Sequence, residues 1–167
     1  MKYGELTFGQ EVVAKAFLTP VSSITYDAVS PHDPKTFWKT RKGLYVWGEF
    51  AKRILPYAKK VKDLPETTGT FYDLAQSAYD RVITANLPEG YAFDDSELCT
   101  RLAFMLEKQA NGEKGDLLTD GRISLFYTTS GFVVGVRWYA DDREWNVRAW
   151  HLDDAQWLAD DRVFSRT

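Results

Sequence analysis

The sequence holds one cysteine, Cys99, and two histidines, His32 and His151. A single thiol excludes an internal disulfide framework and any metal knuckle built on several cysteines. Two imidazoles are a thin supply for a histidine metal site or a catalytic triad. Long apolar runs are missing as well. Residues 102–106 and 132–136 are among the longest, far short of the ~20 residues that cross a bilayer. The opening stretch, MKYGELTFGQE, has no charged region followed by an apolar one, so it does not read as a secretory signal. A cytoplasmic protein without a membrane partner is expected. Walker A, G-x-G-x-x-G, G-x-S-x-G and H-E-x-x-H patterns are all absent, which removes the commonest nucleotide-binding, hydrolase and zinc-protease classes.

What is present is a chain of 167 residues with 44% apolar and 27% charged residues. That length and composition suit one globular domain over residues 1–167, with enough buried surface to fold without metal or disulfide. Aromatics are abundant: 6 Trp, 9 Tyr and 10 Phe, or 15% of the chain.

Charge is unevenly placed. Residues 35–62 carry nine cations against one carboxylate, Glu49, while the whole chain is -3. The remainder is therefore strongly acidic, with doublets at Asp94-Asp95, Asp141-Asp142, Asp153-Asp154 and Asp160-Asp161. Two readings follow. The basic stretch either packs near the acidic parts and is compensated, or it is a docking face for an anion.

Along the chain, residues 5–18 place Val12, Val13, Ala16 and Phe17 at near-helical spacing, stopped by Pro20. Residues 19–36 read as loop, with a short strand at 24–26. From Glu49 to Val61 the pattern is helical, with Pro56 kinking it. Thr70-x-x-Asp73 reads as a capping box ahead of a helix whose stripe is Phe71, Leu74, Ala75, Ala78, Tyr79, Val82 and Ile83. Asp94-x-x-Glu97 opens another helix, carrying Leu98, Leu102, Met105 and Leu106. Residues 122–128, 132–140 and 144–151 are β-branched and aromatic with turn residues between them, and 162–165 suits a further short strand. The expected fold class is α+β: a helical N-terminal two-thirds, then a three- to four-stranded antiparallel meander. Residues 111–121 are the candidate flexible joint.

Three constellations bear on function. In residues 35–62, Phe37, Trp38, Tyr45, Trp47, Phe50 and Tyr57 interleave with cations. Cations neutralise phosphate and aromatic faces stack on bases. The exposed cations are expected to be Lys39, Arg41, Lys42, Lys52, Arg53, Lys59 and Lys60. Within 144–151, Trp145, Val147 and Ala149 alternate with Asn146, Arg148 and Trp150. If the first set faces the core, Arg148 and Trp150 face outward, as anchors of a protein interface or a sugar-binding face. Alternatively both faces are covered and every Trp is buried. Finally, His151 precedes Asp153-Asp154, a minimal set for a metal-dependent hydrolase. No nucleophile is placed by motif to join it. Cys99 reads as a small, partly buried apolar residue. No catalytic residue, metal site or cofactor is assigned.

Residues 157–167 (WLADDRVFSRT) resemble the closing segment of small phage and prophage proteins. The resemblance implies a mobile-element origin and assigns no functional residue. The expectation is a non-enzymatic binding protein, a phage accessory protein occupying a protein partner that handles nucleic acid or serves defence. The alternative is direct nucleic-acid binding through residues 35–62.

Overall fold

The computed structural model describes residues 17–167. The helix expected over 5–18 lies almost wholly outside the described residues. Of those described, 36% are strand and 22% helix, so the sheet and not a helical first two-thirds organises the fold. In chain order the elements are β1 (Leu18–Tyr26), α1 (Pro34–Phe37), β2 (Leu44–Val46), α2 (Gly48–Arg53), a 3-10 turn (Leu55–Tyr57), β3 (Thr67–Leu74), β4 (Ala78–Tyr79), α3 (Asp80–Ala85), α4 (Asp95–Lys108), β5 (Ser124–Tyr127), β6 (Phe132–Tyr139), β7 (Glu144–His151), β8 (Gln156–Trp157) and β9 (Arg162–Ser165).

Seven strands form one mixed sheet in the order β1-β3-β9-β5-β6-β7-β2, and β4 pairs with β8 apart from it. The meander expected from the sequence is there as β5-β6-β7, but it is the middle of a larger sheet. Two of the pairings, β5 with β9 and β2 with β7, are parallel. The helix expected over 70–83 is replaced by β3, β4 and the short α3. Thr70 and Asp73 do not form a capping box. They lie in β3 opposite Ser165 and Arg162 of β9, and the Arg162 Nε donates to Asp73 at 2.8 Å. The stretch expected to be loop at 19–36 contains most of β1, a nine-residue strand antiparallel to β3. Pro20 is tolerated because β1 lies at one margin of the described sheet and its register shifts between Pro20 and Ser22. The helix expected from Glu49 to Val61 is only α2 followed by the 3-10 turn, with Pro56 inside that turn.

The helix α4 follows its sequence signals. Asp94 is the N-cap, and its carboxylate accepts the Glu97 N–H at 2.7 Å. Leu98, Leu102 and Leu106, four residues apart, are buried on one stripe against the sheet. Each such leucine contributes about 1.5–3 kcal/mol of burial. The helix ends at Gln109, whose side chain donates to the Glu113 and Leu117 carbonyls and accepts the Leu117 N–H. Those bonds tie residues 113–117 back to the helix. Gly112 takes a positive φ of 74°, and a Cβ there would strike the Trp138 indole at 2.2 Å.

The two faces of the sheet are covered differently. One face carries α4, α1 and α2, with Trp38, Phe50, Phe126, Trp138, Trp145 and Phe164 in its core. The other face carries β4, β8 and α3 over Leu74, Leu125, Tyr127, Val133 and Val163. Asp80, at the start of α3, holds this second cover in place. It is 1% exposed, and its carboxylate accepts the Tyr127 hydroxyl, the Trp157 indole N–H and the Asp153 N–H, each at 2.7 Å. Trp157 ends the cover. Beyond it no described element covers the outer face of β6, β7 and β2.

Candidate binding face on β6, β7 and β2

Pleating decides which side chains reach the open face, because successive residues of a strand point to opposite sides. On β7, Trp145, Val147 and Ala149 enter the helix-covered core, and Asn146, Arg148 and Trp150 face the other way. On β6, Val134, Val136 and Trp138 enter that same core, leaving Gly135, Arg137 and Tyr139 on the open face. β2 runs parallel to β7 with Tyr45 opposite Asn146, and the Trp47 N–H donates to the Val147 carbonyl. Tyr45 and Trp47 therefore join the open face. Tyr45 and Tyr139 are 41% and 40% exposed, while Trp47 and Trp150 are half-buried.

These side chains form a continuous row. The Tyr45 and Trp47 rings are 5.1 Å apart. The Arg148 guanidinium carbon sits 4.4 Å from the Trp47 ring centre and 5.0 Å from that of Trp150. Trp150 meets Trp157 edge to face at 4.9 Å. The Trp47 indole N–H donates to Asn146 at 2.7 Å, and the Arg148 Nε donates to Glu49 at 2.8 Å. Burial alone would raise the Glu49 carboxyl, but the Arg148 hydrogen bond and charge, together with its own backbone N–H and the Arg53 charge, outweigh it and hold the pKa below its ordinary value. Each cation–aromatic contact contributes about 0.5–1 kcal/mol at a partly exposed site. The row is thus set in place before anything binds.

Gly135 makes the row possible. A Cβ at this position would lie 2.4 Å from Ile123 and 2.6 Å from the Trp150 ring. Without one, Trp150 leans across from the neighbouring strand. A cavity of about 170 Å³ opens beside it, into which Arg137, Arg148, Asn146 and Tyr139 face. The Arg137 Nε is buried and has no hydrogen-bond partner among the described residues.

The cations of the basic segment are placed otherwise. Lys39, Arg41, Lys42, Lys52, Lys59 and Lys60 are exposed, and Arg53 is half-buried. Among the described residues none of these seven makes an ion pair within 4.0 Å, so local compensation by carboxylates is not seen there. Arg41 is folded back over Phe37 and donates to the Phe37 and Lys39 carbonyls. Arg53 donates to the Ala149 carbonyl at 3.0 Å. Arg41 and Lys42 lie near Leu106 at one end of α4, whereas the Lys59 N–H bonds Ser96 at its other end. The cations are strung over about 15 Å of that helix rather than converging. Their aromatic neighbours are divided: Trp38 and Phe50 are core, and Tyr45 and Tyr57 are exposed.

His151, Asp153 and Asp154 are not brought together. His151 leans on Phe132 with ring centres 5.2 Å apart. Asp153 has a φ of 66° and accepts the Arg81 N–H, the role of a turn residue. Among the described residues no group of three or more His, Cys, Asp or Glu is arranged to hold a metal ion. Cys99 is fully buried, and burial pushes its thiol well above the usual range. A second cavity, of about 230 Å³, lies between the end of β1 and α4. Two of its cations are already engaged: Lys108 pairs with Asp27, and the Arg101 guanidinium is committed to Glu97 and to the Asp27 and Pro65 carbonyls.

Arg148 and Trp150 follow from strand alternation in the sequence. Arg137 and Tyr139 are additions from the structure, although the same alternation over residues 132–139 groups them with Gly135 on one side, and Tyr45 and Trp47, read in the sequence as part of the basic-aromatic segment, are moved to this face by the pairing of β2 with β7. No described helix is long and apolar enough to cross a membrane. The motif of residues 157–167 is used by the fold itself: Trp157 bonds Asp80, Arg162 pairs with Asp73, Val163 and Phe164 are core, and Arg166 pairs with Glu97. Compared with models of protein families, with curated proteins and with solved structures, the chain matches none.

Proposed function

We propose that this chain is a non-enzymatic binding protein that docks on a larger protein through the open face of β6, β7 and β2. The observation that carries the reading is Arg148 held between Trp47 and Trp150 on a sheet face that no described element covers. Trp, Tyr and Arg are the residue types that dominate binding energy at protein interfaces, and they do so best when already immobilised. The phage-like closing segment supports an accessory role in the cytoplasm against a host complex that handles nucleic acid or serves defence. Trp150→Ala and Arg148→Ala should each weaken partner capture by about 30-fold or more, equivalent to about 2 kcal/mol. Capture that is unchanged in both variants refutes the docking face.

A second reading has its own observation. The exposed cations of residues 35–62 lack ion-pair partners among the described residues, as direct nucleic-acid binding requires. It predicts affinity for DNA or RNA that falls steeply with salt. Charge reversal at Lys39 and Lys42 then weakens binding to all sequences alike. No binding at low salt rejects it.

A further inference from the structure

Resting on the docking face just proposed, we infer that its partner is an acidic protein segment that lies extended along β7 and places a carboxylate in the cavity between Arg137 and Arg148. The cavity is lined by two guanidinium groups and no carboxylate. Arg137 presents a buried Nε without an acceptor. Among the described residues, the one contact of its two outer nitrogens is a 3.4 Å hydrogen bond from Nη1 to the Tyr139 hydroxyl. Arg148 bonds Glu49 through Nε alone, so the outer edge of its fork is open among the described residues. Glu49 meets the Arg148 charge from one side, yet both guanidinium groups keep unfilled donors at the cavity, and such donors are complementary to an anion. A carboxylate fits because a planar guanidinium accepts it through paired hydrogen bonds. The walls of that cavity, Trp150 and Trp157, suit the apolar side chain next to such a carboxylate. Lys52 and Arg53 on α2 lie near the Glu49 end of the row and favour further acids on the partner.

A random peptide library tests this directly. Peptides of about eight residues match the ~26 Å length of β7 when extended. The library is selected in parallel on the wild-type chain and on the Arg137→Gln, Arg148→Gln and Trp150→Ala variants, each checked for folding by circular dichroism. A dT oligonucleotide of similar length is run in the same format. The expected result is enrichment of Asp and Glu on the wild type and its loss on Arg137→Gln. Individual acidic peptides should then bind the variant about tenfold more weakly, and Arg148→Gln should behave alike. Peptides captured through Trp150 without acidic enrichment overturn this inference and leave the docking face standing. Capture of the oligonucleotide in an Arg137-dependent way overturns it in favour of nucleic acid. If no peptide is captured and Trp150→Ala equals wild type, both the inference and the docking face fall.

Discussion

Replacing Asp80 with alanine should remove a large part of the protein's stability. The carboxylate accepts three hydrogen bonds from neutral donors and is almost fully buried. Alanine leaves the Tyr127 hydroxyl, the Trp157 indole N–H and the Asp153 N–H without an acceptor. Each unsatisfied buried donor costs about 1–3 kcal/mol, so the total is about 3–6 kcal/mol after partial relaxation. That is a large share of the ~5–15 kcal/mol available to a domain of this size. Asparagine retains one acceptor oxygen for Tyr127 and Trp157 but turns its amide toward the Asp153 N–H, so about 1–3 kcal/mol is expected. Urea unfolding followed by far-ultraviolet circular dichroism gives both values. The same change frees Trp157, the neighbour of Trp150, so collisional quenching of tryptophan fluorescence should rise in Asp80→Ala before unfolding begins. A loss below about 1 kcal/mol for alanine, or a larger loss for asparagine than for alanine, refutes the account of Asp80 as the anchor of the second cover.

Two further changes probe the face and the charge layout. Gly135→Ala forces a methyl group into Ile123 and Trp150. It should lower stability by about 1–3 kcal/mol and shift the Trp150 indole resonance, and an unaltered spectrum would show that Trp150 does not rest on residue 135. Burial raises the Asp95 carboxyl above its ordinary pKa, against the Ser130 hydrogen bond, with the Asp94 charge adding to the rise. A raised carboxylate pKa means that the folded state holds the proton more tightly than the unfolded one. The resulting penalty is present at neutral pH and vanishes once pH falls below the unfolded value. Asp95→Asn, which keeps an acceptor for Ser130, should therefore melt above wild type at pH 7, with the gap closing toward ~pH 4. A gap independent of pH would contradict it.

What the sequence revealed and what it hid follow from the same residues. Residues 132–139 and 144–151 are read correctly because β-branched and aromatic side chains fill both faces of a paired strand. Asp94 is read correctly because an N-cap is a local contact. β3 is misread because its buried residues serve two different cores. Phe71 faces α4, whereas Leu74 faces α3, and the resulting spacing imitates a helical stripe. The partner that makes it a strand is β9, far along the chain, which no local pattern announces. β1 is hidden by Pro20 and its serines and threonines, residues that a marginal strand accommodates and a central one does not. At the site, Arg148 and Trp150 follow from alternation within one strand. Tyr45 and Trp47 join them only through the parallel pairing of β2 with β7, which is tertiary information.

The position of β9 also governs the order in which the molecule can be built. It is the latest strand in the sequence, yet it lies between β3 and β5. During folding, β1 can pair with β3 early, and β5, β6 and β7 can pair with one another through short turns. Within the seven-stranded sheet, no strand pairing joins the two groups until residues 162–165 arrive. Closing that gap links contacts distant along the chain, which slows the final step. In the interval the β3 and β5 edges that β9 will fill are unsatisfied, open to pairing with a neighbouring chain.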